Sequence, residues 1–379
     1  MFHRSCFRLN IVFKHLRAVK MSSMADEEII FQTKGHLGVI TLNRPKALNA
    51  LTLSMSRKIY SQLLSWETDP KIELVLVKGA GDKSFCAGGD IRAVTEAGRK
   101  GLPLARDFFR EEYMLNHKIG NYKIPYIALI DGITMGGGVG LSVHGMYRVA
   151  TERTMFAMPE TAIGLFPDVG GGHFLPRLEG KLGTFLALTG FRLKSRDVAN
   201  IGIATHFVES SKTDELENRL ASLSSPARQE DIASVLDDLQ NQSTLDSSKE
   251  FVLKPHIDQI NRLFSGHTME EIFHNLEQEK SQWASEQLKI LNKMSPTSMK
   301  ISLRLLLEGK NRSLGEDLIV ECRLSQRCIE DKDFYEGVRA VLIDKDNNPQ
   351  WNPANIKDVS SSKVDWYFSP LDAKLELVL

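Results

Sequence analysis

Two carboxylates in a glycine-rich stretch are the side chains best placed to do chemistry. Glu160 stands in Met158-Pro159-Glu160 and Asp168 in Phe166-Pro167-Asp168, so each directly follows a proline. Proline fixes its own φ and narrows the conformations open to its neighbours. Upstream, Gly136, Gly137 and Gly138 separate an apolar run, Tyr126–Ile130, from the small-residue segment Val139–His144, and a second triplet, Gly170–Gly172, follows Asp168. A strand that feeds glycines opening a helix leaves backbone N–H groups unpaired and facing outward. Such groups bind an anion, or a carbonyl oxygen gaining negative charge. Proline-fixed acids close to such donors suggest acyl chemistry. Any one of these features alone reads more simply as a tight turn or a helix cap. Gathered between 131 and 172, they favour a site.

A second donor turn is present earlier. Ser84-Phe85-Cys86-Ala87-Gly88-Gly89-Asp90 reads as strand, small-residue turn and helix start, with Asp90 as N-cap of a helix from Ile91. One N–H from this turn and one from Gly137 make a two-donor oxyanion hole, each donor worth roughly 2.7–4 kcal/mol at the transition state. Cys86 has no histidine-partnered motif and reads as a small buried filler. His144 and His173 lie close by, but no H-x-x-x-H or clustered Cys/His spacing accompanies them, so no metal is expected.

The elements that must position these residues follow from periodicity. Strands are predicted over 28–33, 38–42, 72–77 and 126–130, with a short one at 204–208. A helix over 53–66 puts Met55, Ile59, Leu63 and Trp66 on one face, and Asp69-Pro70 breaks it. A polar helix over 103–121 carries Phe108, Phe109, Tyr113 and Leu115 as apolar contacts. On it, Glu111 and Glu112 taken alone read as a solvated pair. Short helices are expected over 181–189 and 194–200. From about 212 only helices are predicted: 213–223, 228–240, 268–278, 281–293, 297–308, 314–330 and 333–342. Asp333, Glu336 and Arg339 fall on helical spacing as ion-pairing surface groups. The apolar end Leu375–Leu379 can dock on the body. Alternating strands and helices in the first part give an α/β class with a mostly parallel sheet. The organisation is thus a segment 1–25, an α/β core over 26–210 that carries the site, and a helical region over 211–379.

Composition limits the function classes. The 379 residues carry 48 basic and 48 acidic side chains, so nothing in the net charge draws the chain to nucleic acid. No apolar run is long enough to span a bilayer, and no membrane partner is expected. The four cysteines, Cys6, Cys86, Cys322 and Cys328, form no C-x-x-C pair, which argues against a disulfide scaffold and fits a reducing interior. The first 25 residues hold Arg4, Arg8, Lys14, Arg17 and Lys20 among apolar residues, and no acid precedes Asp26. That pattern is expected of a mitochondrial transit segment, and hence of a matrix location. Met21 and Met24 are alternative starts.

Three motifs together carry a resemblance: FCAGGDI at 85–91, GITMGGGVGLSVHG at 132–145 and MPETAIGLFPDVGGGHFLPRL at 158–178. They resemble the crotonase (enoyl-CoA hydratase/isomerase) superfamily, as do LNRPKALNAL at 42–51 and DFYEGVRAVLIDKDNNPQW at 333–351. The resemblance implies a crotonase-like spiral of β-β-α turns, closed by C-terminal helices that pack over the site or drive assembly. It implies an acyl-coenzyme A thioester as substrate, with coenzyme A part of that substrate and no separate cofactor. The oxyanion donors carry over to Ala87, or its glycine neighbours such as Gly88, and to Gly137. The pantetheine is expected past 44–48 and 85–90, with adenine near 44–48. Glu112 matches an acid lining the acyl pocket, which lifts it above the solvated reading.

One departure from the hydratase pattern decides the branch. Hydratases manage a water with two glutamates; the second matches Glu160, and the first falls at Gly140, which has no side chain. Asp168 stands where hydratases carry a small residue. A Glu160/Asp168 pair resembles the branch that hydrolyses 3-hydroxyisobutyryl-CoA to 3-hydroxyisobutyrate and coenzyme A in valine breakdown. Glu160 either attacks the carbonyl or acts as general base on water. Asp168 positions or deprotonates water, or holds the substrate hydroxyl. Two such acids repel, so one is expected to be partly protonated near neutral pH. Another crotonase activity, or a non-enzymatic ribosome-associated role, is the alternative. A homo-oligomer is left open.

Overall fold

The computed structural model describes residues 27–379, and the expected transit segment 1–25 lies outside the described residues. In chain order the elements are β1 (Ile29–Lys34), β2 (Leu37–Leu42), α1 (Leu53–Thr68), β3 (Leu74–Gly79), β4 (Ser84–Cys86), α2 (Ile91–Arg99), α3 (Pro103–Gly120), β5 (Tyr126–Ile130), β6 (Ile133–Met135), the one-turn α4 (Gly137–Gly140), β7 (Tyr147–Ala150) and β8 (Met155–Ala157). Then come α5 (Gly171–Phe174), α6 (Leu182–Thr189), β9 (Leu193–Lys194), α7 (Asp197–Asn200) and β10 (His206–Phe207). The helices α8 (Thr213–Ala221), α9 (Gln229–Asn241), α10 (Ile257–Leu263), α11 (Met269–Glu279), α12 (Gln282–Leu291), α13 (Pro296–Gly309), α14 (Leu314–Glu330), α15 (Asp333–Val338) and α16 (Ser361–Phe368) complete the chain. After β10 every regular element is helical, as the sequence pattern predicts.

The strands form a six-stranded sheet in the order β1-β2-β3-β5-β7-β10 and a four-stranded sheet in the order β4-β6-β8-β9. Pairing is antiparallel at β1/β2 and β8/β9 and parallel elsewhere. Three successive strand pairs, β3/β4, β5/β6 and β7/β8, each place the first member in the larger sheet and the second in the smaller. That repeat is the spiral of β-β-α turns. The three-residue strands β6 and β8 escape sequence reading because they are too short to show a period of two. Lys194, expected to start a helix, instead pairs with Leu193 as β9 against β8, so the expected helix over 194–200 reduces to α7.

Period-two alternation divides the core. On β3, Val75 and Val77 face one side with Tyr126, Ala128 and Ile130 of β5, while Leu74 and Leu76 face the other with Ile127 and Leu129. The first set joins the main core with Met55, Ile59 and Leu63 of α1 and Phe108, Phe109 and Tyr113 of α3. The second set packs on Leu216 and Leu220 of α8 and Ile232, Val235, Leu236 and Leu239 of α9. Burying each such side chain is worth roughly 1.5–3 kcal/mol relative to leaving it in water. The boundary at 211 therefore separates strand-bearing chain from helix-only chain, but α8 and α9 share a core with the sheet.

Local signals set the helix starts. Thr52 caps α1 by accepting from Met55 N at 3.2 Å, and Asp90 caps α2 by accepting from Ala93 N at 3.4 Å. At the C-terminal end Leu377 is buried and Glu376 pairs with Arg323 at 3.0 Å, so the tail is docked.

Candidate active site

The first donor turn is held from two sides. Asn49 donates through Nδ2 to Ala80 O at 3.0 Å and to Ser84 O at 2.7 Å, and its Oδ1 accepts from Arg44 N at 2.9 Å. This fastens segment 44–49 to β4. The same fastening corrects one expected donor. Ala87 N already donates to Leu48 O at 3.0 Å, so its N–H is spent. Leu51 N donates to Gly88 O and Asp90 N donates to Leu51 O, both at 2.8 Å. The intervening Gly89 N–H has no main-chain acceptor among the described residues, and it lies 3.4 Å from where a side chain on Gly137 would begin. Gly89 N–H, rather than Ala87 N–H, is therefore the one left without a main-chain acceptor beside Gly137, and Gly88, at φ +106°, supplies the turn.

The second donor belongs to α4. Gly136 enters it at φ 46° and ψ −121°, a backbone that side chains disfavour. A Cβ on Gly136 would stand 3.0 Å from Glu160 Oε1, and one on Gly137 would collide with Glu112 Oε1. Glycine at 136 and 137 thus lets two carboxyl groups approach the main chain that carries the donor.

Glu160 starts a short 3-10 turn, Glu160–Ile163, that follows β8 and Pro159. C-terminal elements clamp this turn. Ser295 N, at the start of α13, donates to Thr161 O at 3.0 Å, and Gly164 and Gly337 let α15 pack backbone to backbone against the turn. Asp333 is buried inside this clamp and accepts from Ser295 Oγ at 2.6 Å and Asn352 N at 2.9 Å. The expectation that Asp333 is a surface ion-pairing group is thereby corrected, whereas Glu336 and Arg339 do pair, at 2.8 Å. Helical spacing alone cannot tell a solvent-facing acid from one that a distant segment closes over.

Asp168 sits in the loop before α5. Its main-chain oxygen accepts from Gly171 N at 2.8 Å, and its Oδ2 accepts from Tyr113 Oη of α3 at 2.9 Å. Beyond it, Gly170 N and Gly172 N donate to the two oxygens of buried Glu321 at 2.7 and 3.0 Å, and Val169 O contacts His144 Nε2 at 2.7 Å. Glu321 and His144 thus fix the loop from behind. A cavity of about 420 Å³ lies on that rear side, between His144, Arg148, His173 and Arg177, and Glu160 and Asp168 take no part in its lining.

Electrostatics couple the acids. Burial pushes Glu160 well above the ordinary carboxyl range, and the Asp168 charge adds to it. Burial, with the same Asp168 charge, raises Glu112 likewise. Asp168 is pushed up to about 7 by burial, against the opposing hydrogen bond from Tyr113. Three acids in one desolvated site cannot all ionise easily, so they titrate as a group. Cys86 is buried and its thiol pushed up to about 12, mainly by burial, which fits a packed filler. Among the described residues no group of three or more His, Cys, Asp or Glu side chains is arranged to hold a metal ion, and no helix is long and apolar enough to cross a membrane.

The structure therefore sets Glu112, Glu160 and the Gly88–Gly89 turn against Gly136 and Gly137, with Asp168 near enough for its charge to act on both glutamates. Glu111, beside Glu112, instead faces outward to Arg57 at 2.6 Å. Sequence reading missed Gly89 as the specific donor, Tyr113 as a polar partner, and Asn116 and Glu321 altogether. For α3 the signal was present: Phe109, Glu112, Tyr113 and Asn116 follow the i, i+3, i+4, i+7 rule for one helix face.

At Gly140 a side chain would begin 2.6 Å from Asn116 Nδ2 and 2.7 Å from Val169 Cβ. The space is filled, so this position can carry no larger residue unless the Asn116 amide turns away and Val169, beside Asp168, shifts.

Comparison with known proteins adds an independent observation. The family model for enoyl-CoA hydratase/isomerase matches residues 37–368. A Homo sapiens protein named 3-hydroxyisobutyryl-CoA hydrolase, mitochondrial, is 59% identical over 364 residues, covering 96% of this chain and 94% of the relative. A protein of the same name from Danio rerio is 58% identical over 371 residues, covering 98% and 96%. Among solved structures, a carnitinyl-CoA dehydratase from Mycobacterium thermoresistibile superposes with a TM-score of 0.85 at 35% identity, covering 93% of this chain and 99% of that one. An enoyl-CoA hydratase from Rhodobacter sphaeroides 2.4.1 gives 0.83 at 36% identity, covering 93% and 100%.

Proposed function

Starting from the fact that this chain belongs to the enoyl-CoA hydratase/isomerase family, we propose that it is a thioester hydrolase that cleaves 3-hydroxyisobutyryl-CoA to 3-hydroxyisobutyrate and coenzyme A in valine breakdown. The names of the Homo sapiens and Danio rerio relatives support this substrate and a mitochondrial location. The observation that carries the reading is the filled space at Gly140. The first glutamate of a hydratase pair has no room there, while Glu160 Oε1 comes within 3.0 Å of where a side chain on Gly136 would begin and the Asp168 charge acts on Glu160.

In the proposed reaction the thioester oxygen is gripped by Gly89 N–H and Gly137 N–H. A Glu160 carboxylate oxygen bonds to the carbonyl carbon, and the resulting oxyanion stays in the hole. Collapse breaks the C–S bond and releases the coenzyme A thiolate, leaving a mixed anhydride on Glu160. Water then adds to the acyl carbon of the anhydride, and the bond from that carbon to the Glu160 oxygen breaks, which returns the Glu160 carboxylate. Asp168, held by Tyr113 and close to neutrality in its titration, takes the proton from that water. The proton finally reaches the thiolate, so one water yields one acid and one thiol. Coenzyme A enters as part of the substrate, and the reaction draws on no resident metal or cofactor. A groove of about 270 Å³ lined by Pro45, Lys46, Asn49, Asp82 and Lys83 supports placing the nucleotide end of coenzyme A beside 44–48.

The names of the two solved relatives, a dehydratase and a hydratase, favour hydration of an enoyl thioester as the second reading. Thiol release by the purified protein across a panel of short acyl-CoA thioesters, with enoyl-CoA hydration assayed alongside, separates the two. We expect rapid release from 3-hydroxyisobutyryl-CoA and no hydration. Hydration without thiol release would sink the hydrolase reading.

A further inference from the structure

Asn116 is a polar residue that the reaction described above leaves unused. It is fully buried, and neither its Oδ1 nor its Nδ2 has a hydrogen-bond partner among the described residues. Buried amides are almost always paired, because an unmade hydrogen bond weakens the fold. An unpaired one beside the Gly137 turn is open to bonding by a polar occupant.

Its position says what the occupant is. Asn116 lies one turn beyond Glu112 on the face of α3 that runs along α4. Glu112 Oε1 touches Gly137 at one end of α4, where the thioester oxygen docks. Asn116 Nδ2 lies against Gly140 at the other end, 2.6 Å from where a Cβ would stand. Glu112 Oε1 and Glu160 Oε2 are likewise buried and unpaired, so the unpaired groups flank α4 and the catalytic turn. An acyl chain with its carbonyl at Gly137 that ran along α4 would reach Asn116. An amide offers one donor and one acceptor, which is the complement of a hydroxyl. Glu112, next to the carbonyl, is suited to the near part of the chain, and Asn116 to its end.

We propose that Asn116 is the residue that recognises the acyl hydroxyl, and so selects hydroxyacyl thioesters over the same chains without the hydroxyl. The proposal rests on the hydrolase reading and deepens it by assigning substrate selection to one side chain. Sites that bond a substrate hydroxyl reject the analogue lacking it by about 10⁴–10⁵-fold in the best cases, because their own polar groups are then stranded. One amide among several unpaired groups is expected to supply about 10²-fold of that.

The test compares kcat/KM for 3-hydroxyisobutyryl-CoA and isobutyryl-CoA, which differ only in the hydroxyl, in the wild-type protein and in Asn116→Leu. The ratio of the two values is expected to fall by about 10²-fold in the variant, through loss on the hydroxy substrate. Turnover of isobutyryl-CoA should stay within about fivefold, and the melting temperature should hold or rise, since an unpaired amide has been replaced by an apolar group. Equal loss on both substrates, or an unchanged ratio, overturns the proposal. Should Asn116→Leu fail to fold, Asn116→Ala, which adds no bulk, is read by the same ratio. A wild-type protein that releases no thiol from 3-hydroxyisobutyryl-CoA removes the hydrolase reading itself. An active wild type with an unaltered ratio in the variant removes only the assignment of Asn116.

Discussion

Glu160→Gln is expected to lower kcat for 3-hydroxyisobutyryl-CoA by more than about 10⁴-fold, with KM changed only a few-fold. The amide keeps the shape of the side chain and loses its nucleophilic oxygen. Removing a general base costs about 10²–10⁴-fold, so a loss above that range favours direct attack and a loss within it favours base catalysis on water. The variant should fold normally. Glu160 is buried with its Oε2 unpaired and is held well above the ordinary carboxyl range, chiefly by burial. A neutral amide in that place relieves the burial of charge. Thermal unfolding of both proteins at the assay pH checks this, and a variant of unchanged turnover would remove Glu160 from the chemistry.

Asp168→Asn is expected to lower kcat by about 10²–10⁴-fold, the range for a general base, and also to move the acidic limb of the kcat/KM profile. Asp168 is raised by burial to about 7. Its charge in turn helps to hold Glu160 up, second to burial. Removing that charge lets Glu160 ionise at lower pH, so the limb moves down. The stability effect has a definite sign. The folded-state value of Asp168 lies above its ordinary 3.8, so the folded protein binds this proton more tightly than the unfolded chain does. The stabilisation from this group is full below about 4 and is lost as pH rises through about 7. Relative to wild type, Asp168→Asn should therefore gain stability above neutrality. A limb that stays in place, together with a parallel pH–stability curve, would show that the two acids do not share a site.

How much of this was legible in the sequence differs from residue to residue. Glu160 and Asp168 stand out because prolines and glycine triplets mark them, and that marking is local. The long strands β3 and β5 are short apolar runs between breakers, and α1 and α14 show clear 3.6-residue stripes. Their assignment needs no tertiary information. The strands β6 and β8 were hidden, since three residues cannot display a period. The choice between Ala87 and Gly89 as donor was hidden for a different reason. It depends on Leu48 O capturing the Ala87 N–H from a segment some forty residues earlier. Asp333 was misread because its helix looks amphipathic, while Ser295 and Asn352 close over it from elsewhere in the chain. Asn116 lay in plain view on the stripe that carries Tyr113. A polar residue at a buried register position is a signal that an apolar pattern search discards.

The C-terminal helices also gain a reason. Ser295, α15 and Glu321 all come from beyond the last strand, and all bear on the two loops that carry Glu160 and Asp168. The helical region is thus the back wall of the site. Short proline-bearing loops have little rigidity of their own, and a catalytic carboxylate displaced by about 1 Å can lose about 10²-fold in rate.

The position of the thioester carbonyl in a complex of the Glu160→Gln protein with 3-hydroxyisobutyryl-CoA tests the central claim most directly. The carbonyl oxygen should lie within about 2.7–3.1 Å of both Gly89 N and Gly137 N, with the residue 160 side chain facing the carbonyl carbon. An acyl group bound elsewhere, or a carbonyl turned away from those two amides, would contradict the account.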